Sequence, residues 1–279
     1  MKPRRNRRPN LRSAPVKGTD SPAHPPTLHY SLSTVPRPTR PIPILSHPHS
    51  APTVMEQLSP QLMNRLVFAV IMHGLNEAQT NLALTVLTDA LLHQNGQIRE
   101  LAVVALADLP VPPAKRVSPL TQALSDDNSK VRRRAARALG DQGPVSQSAL
   151  PQLTAGLRDQ DPSVRRDCAG AIGRLGAAAF PATAGLIAML GEYEYRTRAV
   201  AAVALKRIGR AAVPALLDVV RTGDAERRGR CAVLLAKIAP DEAAVKDALL
   251  SVLGDSDIAV RAMADEAVQL VNTPAPVAV

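Results

Sequence analysis

Apolar residues recur along most of this chain at helical spacing rather than at the strict alternation of strands. Pairs of large apolar side chains stand four apart at Leu87/Leu91, Leu120/Leu124, Leu153/Leu157, Leu186/Leu190, Leu216/Val220 and Leu249/Leu253. Residues four apart share one helix face, so each pair predicts an amphipathic helix. After each pair comes a polar turn, and then a second helix opening around an arginine. Those arginines are Arg99, Arg132, Arg165, Arg198, Arg228 and Arg261, at spacings of 33, 33, 33, 30 and 33 residues. The pattern predicts a unit of helix A, turn and helix B, repeated about six times.

Punctuation supports these boundaries. Pro151, Pro181 and Pro214 stand where helix A is expected to open, a position that needs no N–H donor. Gly143, Gly176 and Gly209 follow helix B, where a left-handed cap suits glycine. Gly170-x-x-Gly173-x-x-Gly176 reads as a helix-end feature, not a phosphate loop. Counted from the proline, repeat four runs long: 17 residues separate Pro181 from Arg198, against 14 from Pro151 to Arg165. The surplus is placed around Gly191-Glu192-Tyr193-Glu194-Tyr195. An extra helix from Ser59 and Pro60 to about His73 is expected to cover the first apolar face.

A period of 33 also suits ankyrin and tetratricopeptide arrays, but neither signature is present. The stretch from Ala149 to Arg166, with Ala169-Gly170-Ala171-Ile172-Gly173-Arg174-Leu175-Gly176, resembles the short bacterial HEAT-like repeats of the phycobilisome-lyase type. The resemblance implies an all-α, right-handed α-solenoid of about six two-helix repeats with an N-terminal capping helix. It implies little about activity, because such repeats serve scaffolds and enzymes alike.

Composition adds to this picture. Hydrophobic residues make up 46% of the chain but aromatics only 2%, so the core must be built from Ala, Leu and Val. Residues 1–57 hold 12 prolines and 9 Lys/Arg against 2 Asp/Glu, so most of the net charge of +10 sits there. Such a leader has too little apolar surface to fold. It reads as a disordered tether to acidic surfaces, a passive tail, or an over-extended gene start with Met55 as the true first residue. The expected division is a leader over 1–57, a solenoid over 58–272 and a flexible tail over 273–279. No apolar run approaches the roughly 20 residues that span a bilayer, and no apolar segment follows the basic start. A cytoplasmic location is expected.

The arginine column invites a functional story, but its repetition points to structure. Four residues before these arginines stand Asn95, Asn128, Asp161, Glu194, Asp224 and Asp257. An acid here can cap helix B and bond an arginine of the adjacent repeat. The expected ladder therefore comprises Asp161, Arg165, Asp224, Arg228, Asp257 and Arg261, with Arg132 and Arg99. Cys168 and Cys231 share a column otherwise held by alanines, two repeats apart, too far for a disulfide. They read as small buried hydrophobes.

Function is sought where the repeat does not repeat. Helical geometry turns Lys130, Arg133, Arg134 and Arg137 outward on helix B of repeat two. Later repeats add Arg166 and Arg174, then Arg196 and Arg207, then Arg230 and Lys237. If helix B lines the concave wall, these form a basic strip for an acidic protein segment, a phosphorylated segment or a nucleic-acid backbone. A solvated face in an Arg-rich chain is the alternative. Tyr193 and Tyr195 add a candidate contact loop that could equally pack over a helix end.

Enzyme classes on this scaffold fit poorly. None of the six histidines is followed by Glu, unlike the di-iron hydroxylases of this repeat class, and Trp is absent, unlike its DNA glycosylases. No catalytic residue, metal or cofactor is expected. The sequence points to a non-enzymatic scaffold or adaptor that binds another protein along the basic face. A subunit of a phycobilin-lyase-like chromophore lyase is the second reading, and a nucleic-acid binder the third. Oligomeric state stays open.

Overall fold

The computed structural model describes residues 59–72 and 76–272, all in one compact unit spanning His49–Val279. The proposed leader over 1–57 and tail over 273–279 lie outside them, as does the helix end expected at His73. Thirteen α-helices and no strand occur among the described residues. Helix α1 (Pro60–Met72) stands alone. The rest pair as α2 (Glu77–Ala90) with α3 (Gly96–Asp108), α4 (Pro113–Gln122) with α5 (Ser129–Asp141), and α6 (Leu150–Gly156) with α7 (Pro162–Arg174). Then come α8 (Thr183–Met189) with α9 (Tyr195–Ile208), α10 (Val213–Thr222) with α11 (Ala225–Ile238), and α12 (Ala243–Val252) with α13 (Ile258–Asn272). The fold is an all-α solenoid of six A/B pairs, with α1 packed against α3.

Each helix begins and ends for a local reason. The polar residue four before a column arginine caps helix B, except at Glu194, whose side chain makes no cap bond. Asn95, Asn128, Asp161 and Asp257 accept the backbone N–H two residues on, at 2.7–2.9 Å, and Asp224 accepts that of Arg227 at 2.9 Å. An unmade cap leaves an orphan donor and costs about 1 kcal/mol. Gly143, Gly176 and Gly209 have φ of 60°, 64° and 71°, which turns the chain out of helix B at no Cβ penalty.

The core follows the columns. Leu87, Leu120, Leu153, Leu186 and Leu216 are fully buried. Each contributes about 1.5–3 kcal/mol by leaving water. Opposite them on the B helices, Ala102, Ala135, Cys168, Ala201, Cys231 and Ala264 are fully buried too. Small residues here let the B helices approach closely. A Cβ on Gly140 would lie 2.9 Å from Ala171 Cα, and one on Gly173 the same distance from Ala204 Cα. Backbone contact of this kind replaces the missing aromatics as a source of packing.

Two expectations need correction. Pro181 does not open helix A of repeat four. It lies in a 3-10 stretch, Gly176–Ala182, and α8 starts at Thr183, as far from Arg198 as Leu150 is from Arg165. Repeat four is therefore not long, and Leu190–Glu194 is a turn of the same length as Leu157–Asp161. The irregular spacing of 30 arises in the next connector. The 3-10 stretch Gly209–Ala212 has 4 residues where Gly176–Ala182 has 7. The second correction concerns Gly170 and Gly173, which lie inside α7 and do not end it.

At this junction the B row also loosens. Lys206 occupies the place of Gly140 and Gly173, and α9 and α11 touch only lightly. The other consecutive B helices pack along much of their length.

Candidate functional site

The arginine ladder is present, with different acids from those expected. Arg132 Nε and Nη2 donate to Asp159 at 2.7 and 2.8 Å, a bidentate pair across repeats. Its Nη1 donates to the carbonyls of Asp126 and Asp127 at 2.7 and 3.0 Å in its own turn. Arg99–Asp126, Arg165–Glu192 and Arg228–Asp255 repeat the arrangement. Every acid lies 27 residues after its arginine. Asp161, Asp224 and Asp257 are thus caps, and the rung acids stand two residues earlier in the turn at Asp159 and Asp255. The reason is steric direction: the cap carboxylate must turn back to its own helix N–H, whereas the earlier one faces the preceding repeat.

These carboxylates are tuned by their partners. The Arg228 guanidinium, helped by the Asp257 N–H, brings the Asp255 carboxyl down to about 2. Burial pushes Asp159 upward, but the Arg132 bond and the Asp161 N–H outweigh it, leaving its pKa below the ordinary value. Arg261 holds only its own turn, donating to Asp255 O and Ser256 O. Arg198 does the same toward Glu192 and Tyr193, and its guanidinium carbon lies 5.8 Å from the Tyr195 ring centroid. Thr222 stands where the other repeats carry the rung acid, so no rung joins repeat four to repeat five.

The cysteines are free and buried. Burial raises both thiols to about 12, which makes them inert as nucleophiles at neutral pH. Among the described residues no group of three or more His, Cys, Asp or Glu could hold a metal ion. No described helix is long and apolar enough to cross a membrane.

The outward face of the B helices carries the expected strip, but most of its charges are answered. Arg133 and Arg137 reach Asp167 at 3.3 and 3.2 Å, and Arg134 reaches Glu100 at 3.3 Å. Arg166 meets Glu194 at 2.5 Å, Arg174 meets Asp141 at 3.5 Å, and Lys237 meets Glu266 at 3.9 Å. Arg230 pairs with Glu226 and also donates to Leu190 O. Lys130, Arg196 and Arg207 are exposed and have no ion-pair partner among the described residues. Exposed pairs are weak because water competes for both members, so an incoming anion can replace them.

The strip has a centre that sequence reasoning missed. Arg137 of α5, Arg166 and Arg174 of α7 and Arg196 of α9 ring a hollow of about 460 Å³. Gly170, Ala199 and Val200 also line it, together with Tyr195 and a single carboxylate, Asp167. A Cβ on Gly170 would meet nothing within 4 Å, so this glycine opens the hollow and is not needed for helix packing. Tyr193, by contrast, is fully exposed and touches the site nowhere, while Tyr195 is 73% exposed at its edge. The available signal was a helix-interior glycine in an outward column.

Known proteins agree with the architecture. Residues 117–206 match the family model for HEAT repeats. That stretch, about a third of the chain, is similar to HEAT repeats. Importin beta shares the fold at a TM-score of 0.55 and 16% identity, covering 78% of this chain but only 32% of importin beta. The complex of CpcE and CpcF of phycocyanin lyase from Nostoc sp. PCC7120 aligns at 24% identity and a TM-score of 0.42, over 65% of this chain and 74% of that one. An archaeal HEAT-like repeats protein from Thermococcus onnurineus NA1 aligns at 16% identity and the same TM-score, over 77% and 97%. No curated protein matches the sequence significantly.

Proposed function

We propose that this protein is a non-enzymatic adaptor that holds an acidic segment of a partner protein along the outward face of α5, α7, α9 and α11. One observation carries the reading: guanidinium groups from three successive B helices surround one hollow that a single carboxylate lines. A charged row on a stack of repeats suits a segment lying across several of them, since each contact adds to the others without a deep pocket. Acidic residues interspersed along the row, such as Glu100 and Asp167, favour a partner of patterned charge over a uniform phosphodiester backbone. The lyase-subunit reading has no such observation behind it.

The test uses fluorescence anisotropy with a labelled Asp/Glu-rich peptide and the full chain. Reversing Arg134, Arg137, Arg166 and Arg174 to Glu should weaken binding at least about tenfold. Reversing the exposed Arg158 and Arg221, away from this face, should change it little. The leader is intact in both variants, so its charge cancels. Equal loss in both, or no loss in the first, refutes the reading.

A further inference from the structure

We infer that the Gly170 hollow is the seat for a phosphate monoester carried on the bound acidic segment. The inference rests on the adaptor reading and names what its central contact recognises. Three features lead to it.

First, the guanidiniums converge instead of running in file. Arg137, Arg166, Arg174 and Arg196 come from three helices and border the same space. A carboxylate carries one charge and is satisfied by one bidentate arginine. A phosphate monoester carries nearly two charges and three terminal oxygens, and can be shared among several guanidiniums.

Second, the groups are available. Arg196 is exposed and makes no contact ion pair among the described residues, its charge acting on Glu194 only through space. Arg137 and Arg174 are half exposed, and their carboxylate contacts are 3.2 and 3.5 Å long. Arg166 is already fixed by Glu194 and by Ser163 Oγ, and so keeps a defined position without rearrangement.

Third, the room is built in. Gly170 sits in mid-helix, where any residue but proline would favour the helix more. Nothing lies within 4 Å of the Cβ it lacks. The space above it is kept open between guanidiniums, with Tyr195 at the edge.

The decisive variant is Gly170→Leu, which puts an apolar side chain into the hollow and leaves every charge in place. Binding of three peptides of one acidic sequence, with a central phosphoserine, Glu or Ser, is measured by calorimetry on the full chain. On the wild type the phosphopeptide should bind about tenfold tighter than the Glu peptide. Gly170→Leu should abolish that preference by weakening the phosphopeptide far more than the Glu peptide, with the circular dichroism melt confirming an intact fold. Arg196→Ala should reduce the preference, and Arg196→Lys should restore part of it. Equal binding of phosphoserine and Glu peptides to the wild type overturns the inference and leaves the adaptor reading standing. So does a phosphate preference that survives Gly170→Leu. An oligonucleotide binding as tightly as the phosphopeptide also overturns it, because singly charged diesters would then suffice. Failure of all three peptides to bind removes the adaptor reading together with the inference.

Discussion

Replacing Arg132 with methionine removes a guanidinium while keeping an apolar stem in its place. Four hydrogen bonds disappear: two to the Asp159 carboxylate at 2.7 and 2.8 Å, and two to backbone carbonyls at 2.7 and 3.0 Å. Asp159 is left with the Asp161 N–H at 2.9 Å. The two side chains of the pair are 17% and 11% exposed, so water replaces only part of what is lost. Hydrogen bonds to charged groups contribute about 1.5–3 kcal/mol, and the loss here comes to about 2–4 kcal/mol. In a domain of this size that lowers Tm by roughly 5–12 °C. The sharper measurement is a double-mutant cycle by urea denaturation. Arg132→Met and Asp159→Asn should couple by about 1–3 kcal/mol, whereas Arg132→Met and Asp161→Ala should be additive within about 0.5 kcal/mol. Asp161→Ala alone should cost about 1 kcal/mol, the value of a cap. Stronger coupling to Asp161 than to Asp159 would refute the assignment of rung and cap.

Three other outcomes follow from the same geometry. Gly140→Ala should destabilise by about 1–3 kcal/mol because its methyl meets Ala171 backbone, while Gly170→Ala should stabilise by up to about 1 kcal/mol, and melting curves moving in the same direction would contradict the packing. Native protein should react with a thiol reagent only as it unfolds, since Cys168 and Cys231 are buried; rapid labelling of either would show the core is open. The stabilisation from the Asp255 carboxylate is present above the ordinary carboxyl pKa of about 4 and is lost as pH falls toward its folded value of about 2. Asp255→Asn should therefore flatten the acid limb of the stability profile over that window, and an unchanged limb would deny the rung its electrostatic share.

The sequence made the columns legible because each repeat poses the same packing problem. Leu153 and Leu186 are buried for one reason, as are Cys168 and Cys231. What stayed hidden depends on direction within a turn. Asp159 and Asp161 are both acids near the helix start, and only the backbone decides which faces the neighbouring arginine. Pro181 misled because proline suits a 3-10 turn as well as a helix N-terminus. The basic strip was visible on one helix at a time, but its pairing was not: Arg133 and Arg137 reach Asp167 from 34 and 30 residues away. The Gly170 hollow eluded the same reasoning, since it exists only between helices.

The step from Arg198 to Thr222 lacks what every neighbouring step has. A stack held by bolts of equal strength bends evenly, and one bolt left out gathers the bending at its own joint. Load applied at either end of this array, by a bound chain or by heat, is then expressed where α9 meets α11. The arginine hollow lies on one side of that joint and Arg230 and Lys237 on the other, so a segment bound along the whole row crosses it.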